Sequence, residues 1–246
     1  MKALVSTSCV VAVVLASGLS GAKAAETKPI RVLIITGRDV PAHPWRKTTP
    51  VLRGHLEQTK KFEVVVSEEP LVLESTALDA YDVILLNYYN WRRPGITRTA
   101  RENLLAFVKG GKGLVSFHFS CRAFDDWPEY RNLIGRIWTK GSGHGRRGKF
   151  KVKITKPDHF ITGGVKDFEA DDELYAKLVG DAPITVLIEA YSQWSKRTEP
   201  LAWTLPYGKG RVFNIVLGHD ARACKDPNFR RLFQRGTEWA ARADAK

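Results

Sequence analysis

Three histidines in this chain of 246 residues stand where a side chain could move protons or bind a metal. His118 directly follows one apolar, strand-like run, and His219-Asp220 follow another after a single glycine. His144 lies in the Gly-Ser-Gly-His-Gly segment 141–145, whose glycines let the backbone approach a ligand closely. Because imidazole titrates near neutral pH and is a common metal ligand, these positions predict acid/base or metal-assisted chemistry.

A carboxylate and a phenol could complete such a site. Glu173 and Tyr175 lie in an Asp-Glu-Leu-Tyr segment and could hydrogen-bond the hydroxyls of a sugar. Structural roles stay open for each candidate. His118 could close a strand through a hydrogen bond, His144 could lie in a flexible loop tip, and Asp220 or Glu173 could cap a turn.

The elements that must position these residues follow an alternating pattern. From Arg31 onward, short apolar runs alternate with helical periodicity, which is typical of stacked βαβ units. We predict an α/β fold, flavodoxin-like and mostly parallel with an antiparallel extension. The predicted buried strands are 32–36, 62–66, 83–86, 114–117 and 211–217, the helices 48–60, 97–108, 128–133 and 228–241, and the more exposed strands 149–154, 184–190 and 201–204. The carboxyl ends of parallel strands share one edge, where open α/β sheets bind ligands.

The residues expected at that edge fall into three groups. The catalytic candidates are His118, His219, Asp220 and Glu173. The substrate-binding candidates, which include aromatic rings able to stack on sugars, are Gly37, Arg38, Trp45, Asn87, Tyr88, Trp91, His144 and Tyr175. The metal-ligand candidates are His118, His144 and His219. Their separations of 26 (144 − 118) and 75 (219 − 144) residues form no local ligation motif, so the sequence leaves open whether a divalent metal such as zinc is bound.

The N-terminus resembles an export signal. Lys2 precedes an apolar, charge-free run from Ala3 to Leu19, and Ala22-Lys23-Ala24 supplies the small-x-small pattern that signal peptidase recognises. A retained membrane anchor is disfavoured because the run is shorter than the ~20 apolar residues that span a bilayer. We therefore expect a signal peptide over residues 1–24, one domain over 25–246, and a periplasmic or extracellular location with no membrane insertion after cleavage.

The composition narrows the class of partner. The net charge of +13 falls to about +11 once two signal-peptide lysines leave, but the basic residues are scattered and accompany no nucleic-acid motif. We expect a small carbohydrate partner and no nucleic acid. The two cysteines outside the signal peptide, Cys121 and Cys224, lie 103 residues apart (224 − 121) and form neither a disulfide framework nor a clustered metal site. The glycines of a nucleophile elbow are missing around Cys121, which disfavours a catalytic thiol.

A long set of motifs, in order along almost the whole mature chain, resembles the trehalose-utilisation (ThuA-like) family. They are the segments 43–50, 86–88 with Trp91, 113–118, 124–130, 141–145, 158–162, 172–175, 207–213 and 218–220. The resemblance implies a fold similar to class I glutamine amidotransferases, with the amidotransferase Cys-His-Glu triad absent. It also implies disaccharide catabolism, often alongside dehydrogenases that make 3-keto sugars.

The resemblance leads to one function with two alternatives. We expect a carbohydrate-processing protein that acts on glycosides or 3-keto-glycosides and is functionally paired with a sugar dehydrogenase. The first alternative is a non-catalytic sugar-binding module or accessory subunit that uses the same crevice. A glutamine amidotransferase is the more distant alternative.

Cleavage is expected between Ala24 and Ala25, because Ala22 and Ala24 are the small residues that signal peptidase accommodates. N-terminal sequencing of the exported protein tests this. A mature chain that still begins at Met1 contradicts it.

Overall fold

The computed structural model describes residues 28–90 and 92–242 and has a nine-stranded mixed sheet at its centre. In chain order the strands are β1 Ile30–Ile35, β2 Phe62–Ser67, β3 Val83–Leu86, β4 Gly113–Phe117, β5 Gly143–His144, β6 Gly148–Ile154, β7 Phe168–Asp172, β8 Tyr175–Ala176, β9 Thr185–Ser192, β10 Arg197–Tyr207 and β11 Gly210–Ile215. The α-helices are α1 Trp45–Glu57, α2 Arg98–Lys109, α3 Pro128–Ile134, α4 Ala221–Cys224 and α5 Pro227–Ala240, and 3₁₀ turns span Pro70–Glu74, Thr76–Ala80 and His118–Arg122.

The predicted signal peptide, residues 1–24, lies outside the described residues. Within the part of the chain that the structure describes, none of the helices has both the length and the apolar character that crossing a bilayer requires.

The strand order confirms the predicted fold class. The sheet runs β2-β1-β3-β4-β11-β10-β9-β6-β7, and its first five strands are parallel. The last four strands extend it antiparallel. The layering is flavodoxin-like, as the apolar runs predicted. The carboxyl ends of β1, β3, β4 and β11 therefore meet at one edge.

The central strands are apolar at almost every position because helices cover the sheet. Val32, Leu33, Ile34 and Ile35 of β1 are fully buried, and so are all four residues of β3. Helix α5 packs on β4 and β11 and also contacts α1, while α2 packs on β4 and β11. This apolar interior fixes the positions from which the loops at the carboxyl edge emerge.

The start of α1 differs from the prediction. The sequence predicted a helix opened by a hydroxyl cap at Thr48 or Thr49 with Pro50 in its first turn, but α1 begins at Trp45 and contains Pro50 in its interior. Both threonine side chains are buried, and both accept hydrogen bonds from Asn87 Nδ2, at 3.1 and 2.8 Å. The hydroxyls tie α1 to the end of β3 and are not available as a cap.

Four short elements were not predicted: β5, β7, β8 and α4. Strand β7 reads Phe-Glu-Ala-Asp-Asp, and its three carboxylates hide the alternation that marks a strand. The other three span two to four residues, too few for a periodic pattern.

Gly37 marks the tightest packing at the end of β1. Its φ is +113°, and a Cβ placed there would lie 1.7 Å from the carbonyl oxygen of Glu68. We expect Gly37→Ala to lower the free energy of unfolding by roughly 2–4 kcal/mol, because both the backbone angle and the contact oppose a side chain. Chemical denaturation measures this change.

Gly54 offers the matched control. It lies inside α1, and a Cβ there would meet no atom within 4 Å. Gly54→Ala should therefore stabilise the protein, by about 0.5–1 kcal/mol from helix propensity. Equal effects from the two substitutions would contradict the packing described for Gly37.

Candidate active site at the carboxyl edge of the sheet

Three histidines reach the same edge from three different strand ends. His118 follows β4 directly, His219 follows β11, and His43 lies in the connection from β1 to α1. Because β1, β4 and β11 are parallel, and β3 is the one strand that separates β1 from β4, their carboxyl ends lie at the same edge of the sheet. The topology alone therefore brings three residues together that are far apart in the sequence.

The turn after β4 holds His118 in an unusual backbone conformation. Its φ is +46°, which is the left-handed region and costs a non-glycine residue ~1–3 kcal/mol. Ser120 stabilises this turn: its hydroxyl donates to the Leu86 carbonyl at 2.8 Å and accepts from the Tyr88 amide at 2.9 Å. Tyr130 donates to the Ser120 carbonyl at 2.7 Å. Ser120 is thus a structural clamp, fully occupied by backbone groups.

A buried carboxylate holds the turn after β11. Asp172 accepts hydrogen bonds from the amides of Gly218 at 2.6 Å and His219 at 3.1 Å. Gly218 has φ +102°, and a Cβ there would lie 2.4 Å from the ring of Phe117. Burial raises the pKa of Asp172 to about 6, although these amide bonds act in the opposite direction. The amide hydrogen bonds favour the ionised carboxylate, and they fix the backbone that carries His219.

The glycine-rich segment reaches the site through the small sheet. Strand β5 pairs antiparallel with β8, with His144 opposite Tyr175. The rings of His144 and Tyr175 are stacked with centroids 5.9 Å apart, and Trp138 packs edge-on against Tyr175 at 4.8 Å. This pairing orders a segment that its composition alone would leave flexible.

Four side chains converge between these turns. His43, His118, Glu173 and His219 each offer one ligand atom, and these atoms lie within 4.8 Å of one another. We call them the four-residue cluster. His219 Nδ1 lies 3.0 Å from Glu173 Oε2, and His144 Nδ1 lies 3.7 Å from the other oxygen of Glu173. The predicted histidines 118, 144 and 219 thus all lie near Glu173.

A directed chain of hydrogen bonds sets the tautomers. The Nδ1–H group of His118 donates to the Val216 carbonyl at 2.7 Å, so its Nε2 carries a lone pair. The Tyr175 hydroxyl donates to that Nε2 at 2.8 Å and accepts from His43 Nε2 at 3.0 Å. His43 Nδ1 is then unprotonated, and it is buried with no hydrogen-bond partner. The chain of hydrogen bonds thus ends on the lone pair of His43 Nδ1.

The surroundings shift the pKa values of the cluster residues in different directions. Burial, reinforced by repulsion from His219, lowers the pKa of His43 to about 4, and burial together with repulsion from His43 lowers the pKa of His118. Contact with Glu173 raises the pKa of His219 despite its burial. Burial alone would raise the pKa of Glu173, but contact with His219 holds that pKa below its ordinary value. The site therefore contains two neutral imidazoles beside a polar His219–Glu173 pair.

Of the four-residue cluster, His43 lines a cavity of about 200 Å³. Its lining is mainly apolar and aromatic, with His43, Phe119, Trp138, His144 and Tyr175 among its walls. His43 stacks on Phe119 with ring centroids 4.6 Å apart and an interplanar angle of 22°. The volume lies below the ~300–1,000 Å³ of pockets for drug-sized ligands, which suits a small ligand with a few polar groups.

Residues 31–240 match the family model ThuA, described as trehalose utilisation. The chain belongs to the ThuA family. No curated protein sequence matches it. Among solved structures it is similar to a ThuA-like protein from Parabacteroides merdae ATCC 43184, with a TM-score of 0.79 and 27% identity over 88% of this chain and 91% of that one.

More distant similarities concern the fold alone. A ThuA-like protein from Bacteroides uniformis ATCC 8492 has a TM-score of 0.71 at 17% identity, covering 89% of this chain and 94% of that one. A β-galactosidase from Rahnella sp. R3 has a TM-score of 0.60 at 15% identity, covering 85% of this chain but 31% of that one. The ThuA fold thus also forms one part of a longer chain.

Several predicted binding residues of this ThuA chain do not line the cavity. Gly37 packs against the Glu68 backbone, and Trp45 donates to Asp39 at 2.9 Å. Asn87 is buried and holds α1, as described above. Tyr88 is buried against Phe124, and its hydroxyl contacts Arg38. Trp91 lies outside the described residues.

Asp220, predicted as catalytic, lies outside the four-residue cluster of the ThuA chain. Its carboxylate caps α4 by accepting from the amides of Arg222 and Ala223 at 2.9 and 2.8 Å, and it also pairs with Arg147. This is the structural alternative that the sequence left open. The carboxylates of Asp172 and Glu173 differ from that of Asp220, because Asp172 positions the backbone of His219 and Glu173 contacts the His219 ring.

His43 is the member of the four-residue cluster of this ThuA chain that the sequence did not predict. It belongs to the His-Pro-Trp motif at the start of the resemblance, but no strand-like run precedes it directly. Its position could have been found from topology, because it lies in the first connection after the central strand β1. Loops at that edge carry the ligand-binding residues of open α/β sheets.

Asp172→Asn should destabilise this ThuA protein. An amide has one accepting oxygen, so one of the two backbone amides at Gly218 and His219 would face an N–H group. We expect a loss of ~1–3 kcal/mol in the free energy of unfolding, the scale of an unsatisfied buried group, measured by chemical denaturation.

The control is Asp171→Asn. Asp171 pairs with Arg147 and Arg222 at a partly exposed position, and such pairs contribute ~0–1 kcal/mol. A loss at Asp171 equal to that at Asp172 would show that the buried carboxylate has no special role.

Proposed function

We propose that this protein is an exported carbohydrate-processing enzyme that acts on glycosides or their 3-keto derivatives in disaccharide catabolism. The observation that supports this most directly is the convergence of three imidazoles, one carboxylate and one phenol, of which His43 and Tyr175 line an aromatic cavity. Membership of a family described as trehalose utilisation supports the substrate class. Flat aromatic walls combined with a few polar groups are suited to sugar rings.

The chemistry follows from a ketone at C3 of the sugar. The ketone acidifies the proton on C2, so a base can remove it while the electron pair of the C–H bond delocalises onto the C3 oxygen. When the electron pair returns, the C1–O bond breaks and the aglycone oxygen leaves with a proton. One base, one electrophile at the C3 oxygen and one proton donor suffice for this elimination.

Glu173 is the base in this proposal. The lowered pKa of Glu173 keeps the carboxylate ionised, and its oxygens lie near His219 and His144. His219, whose pKa is raised by the same contact, can return a proton to the leaving oxygen. Tyr175 stays protonated because burial raises the pKa of its hydroxyl, which makes it a hydrogen-bond donor for the developing oxyanion.

A second cavity suits the other ring of a disaccharide. It has a volume of about 310 Å³ and shares Cys121, Arg122 and Trp138 with the first. A two-ring substrate would place its keto sugar beside the cluster and its aglycone beyond Trp138. A sugar dehydrogenase that oxidises C3 would supply this substrate.

The glutamine amidotransferase alternative has less support. Burial raises the pKa of Cys121 to about 12, so its thiol stays protonated at neutral pH. A thiol in that state is a poor nucleophile.

The test is proton exchange and turnover with 3-keto-trehalose. In deuterated buffer we expect NMR to show exchange at C2 and release of glucose with the wild-type protein. Glu173→Gln should reduce both rates by at least ~100-fold, the scale of losing a general base. The matched control is Glu102→Gln on α2, an exposed glutamate paired with Arg98, which should leave both rates unchanged.

Two outcomes contradict the proposal. Sugar binding by calorimetry without exchange or turnover would favour the non-catalytic binding module. Turnover that survives Glu173→Gln would remove Glu173 from the role of base.

A further inference from the structure

The rings of His43, His118 and His219 form a nearly equilateral triangle. Their centroids are 5.1 Å apart for His43 and His118, 5.2 Å for His43 and His219, and 5.6 Å for His118 and His219. The three rings are tilted or edge-on to one another rather than stacked. One ring nitrogen of each histidine lies within 4.8 Å of those of the other two, so the three rings could share one ligand.

A tetrahedral metal ion imposes a similar triangle. With metal–nitrogen distances of ~2.0–2.1 Å, each imidazole centroid lies ~3.2 Å from the ion, and tetrahedral angles then separate the centroids by ~5.2 Å. The observed separations lie within 0.4 Å of that value (5.6 − 5.2).

The groups around the rings are those that orient metal-binding histidines. His118 donates its Nδ1–H to the Val216 carbonyl, which leaves Nε2 with its lone pair toward the cluster. His219 Nδ1 is held 3.0 Å from a Glu173 carboxylate oxygen. His43 Nδ1 is a buried nitrogen with no hydrogen-bond partner among the described residues, so its lone pair is free to act as a ligand.

We propose that His43, His118 and His219 bind one divalent transition-metal ion, for which zinc is the best match, and that Glu173 lies beside its open coordination position. Imidazole donors suit zinc and its first-row neighbours, whereas magnesium and calcium prefer oxygen ligands. Three protein ligands and an open position are the arrangement of catalytic zinc sites. Binding requires the Tyr175 hydroxyl to give up its hydrogen bond to His118 Nε2.

This ligand set differs from the one that the sequence predicted. His144 binds the Gly145 carbonyl at 2.8 Å through Nδ1 and is partly exposed. It is not one of the four residues whose ligand atoms converge. In the proposed site, His43 takes the place assigned to His144.

The ion would deepen the proposed function by acting as the electrophile for a keto oxygen next to Glu173. The metal site itself stands on the imidazole geometry and needs no sugar for its detection. Metal binding without sugar turnover would therefore overturn the proposed function alone, and turnover without metal would overturn this inference alone.

The test is metal stoichiometry on the mature protein after removal of any affinity tag. The protein is stripped with a chelator, dialysed against zinc and measured by elemental mass spectrometry. We expect one zinc per chain, a Tm that rises with zinc concentration, and visible absorption of a tetrahedral site after substitution with cobalt. The zinc-dependent rise in Tm is measured on the wild-type protein, so this part of the test does not depend on whether any variant folds.

Variants distinguish the ligands. His43→Ala, His118→Ala and His219→Ala should each weaken zinc binding by more than ~100-fold, beyond the effect of losing an outer-shell partner. His144→Ala and His159→Ala, whose ring packs on Trp239, should retain one zinc per chain. Tyr175→Phe should bind zinc at least as tightly as the wild type, because it removes the competing hydrogen bond. Circular dichroism confirms that each variant folds.

Three outcomes overturn the inference. The first is a wild-type chain that takes up none of zinc, cobalt, nickel or manganese and shows no change in Tm. The second is loss of metal in His144→Ala with retention in His43→Ala. The third is loss of metal in Tyr175→Phe as complete as in His118→Ala.

Discussion

The candidate site depends on one buried interaction, the acceptance of two backbone amides by the Asp172 carboxylate. Asp172 ends the antiparallel strand β7, whereas Gly218 and His219 follow the parallel strand β11. These strands lie at different places in the sheet, with three strands between them. The carboxylate joins the two parts of the sheet at the carboxyl edge, so that Glu173 meets His219. Without this carboxylate, Glu173 and His219 would lie on two loops that no hydrogen bond from Asp172 holds together.

The interior of the site is electrostatically uneven. Burial keeps His43 and His118 neutral, and their hydrogen-bond chain through Tyr175 has its direction set by one backbone carbonyl, that of Val216. The His219–Glu173 contact, by contrast, raises the pKa of His219 and so favours its charged form. A ligand would therefore meet lone pairs and a hydroxyl at His43, His118 and Tyr175, and a more polar imidazole and carboxylate at His219 and Glu173. Such an asymmetry suits reactions in which a proton leaves one atom while charge develops on another.

Much of the fold was predictable because β-branched runs and helical periodicity alternate clearly along the chain. The positions of His118 and His219 followed from the same pattern, since each comes at the end of a buried strand. His43 could not be found this way because its loop departs from β1 before the histidine appears. Asp220 stayed ambiguous in the sequence, because an aspartate ahead of a helix can cap it or point into a site, and the structure shows that it caps α4.

The carboxylates of the segment 172–175 show a second reason why the site could not be predicted in full from the sequence. Asp172 and Glu173 are adjacent in the sequence, yet one holds the backbone and the other contacts the histidines. Which neighbour faces inward depends on where β7 ends, and its charged composition hides that boundary. The pairing of β5 with β8 was equally hidden, since each strand has two residues. Short elements are fixed by tertiary contacts, which a local pattern does not contain.

Strand β7 is the last strand of the sheet, paired only with β6 among the described residues. Edge strands open locally at a lower free energy than the core of a sheet. Opening of β7 would release Asp172, free the backbone of His219 and withdraw Glu173, while the parallel strands stay folded. The protein would then lose its site in a partly open state that still retains most of its secondary structure. The candidate site and the fold are thus expected to have separate thermal limits, with hydrogen exchange at β7 amides marking the lower one.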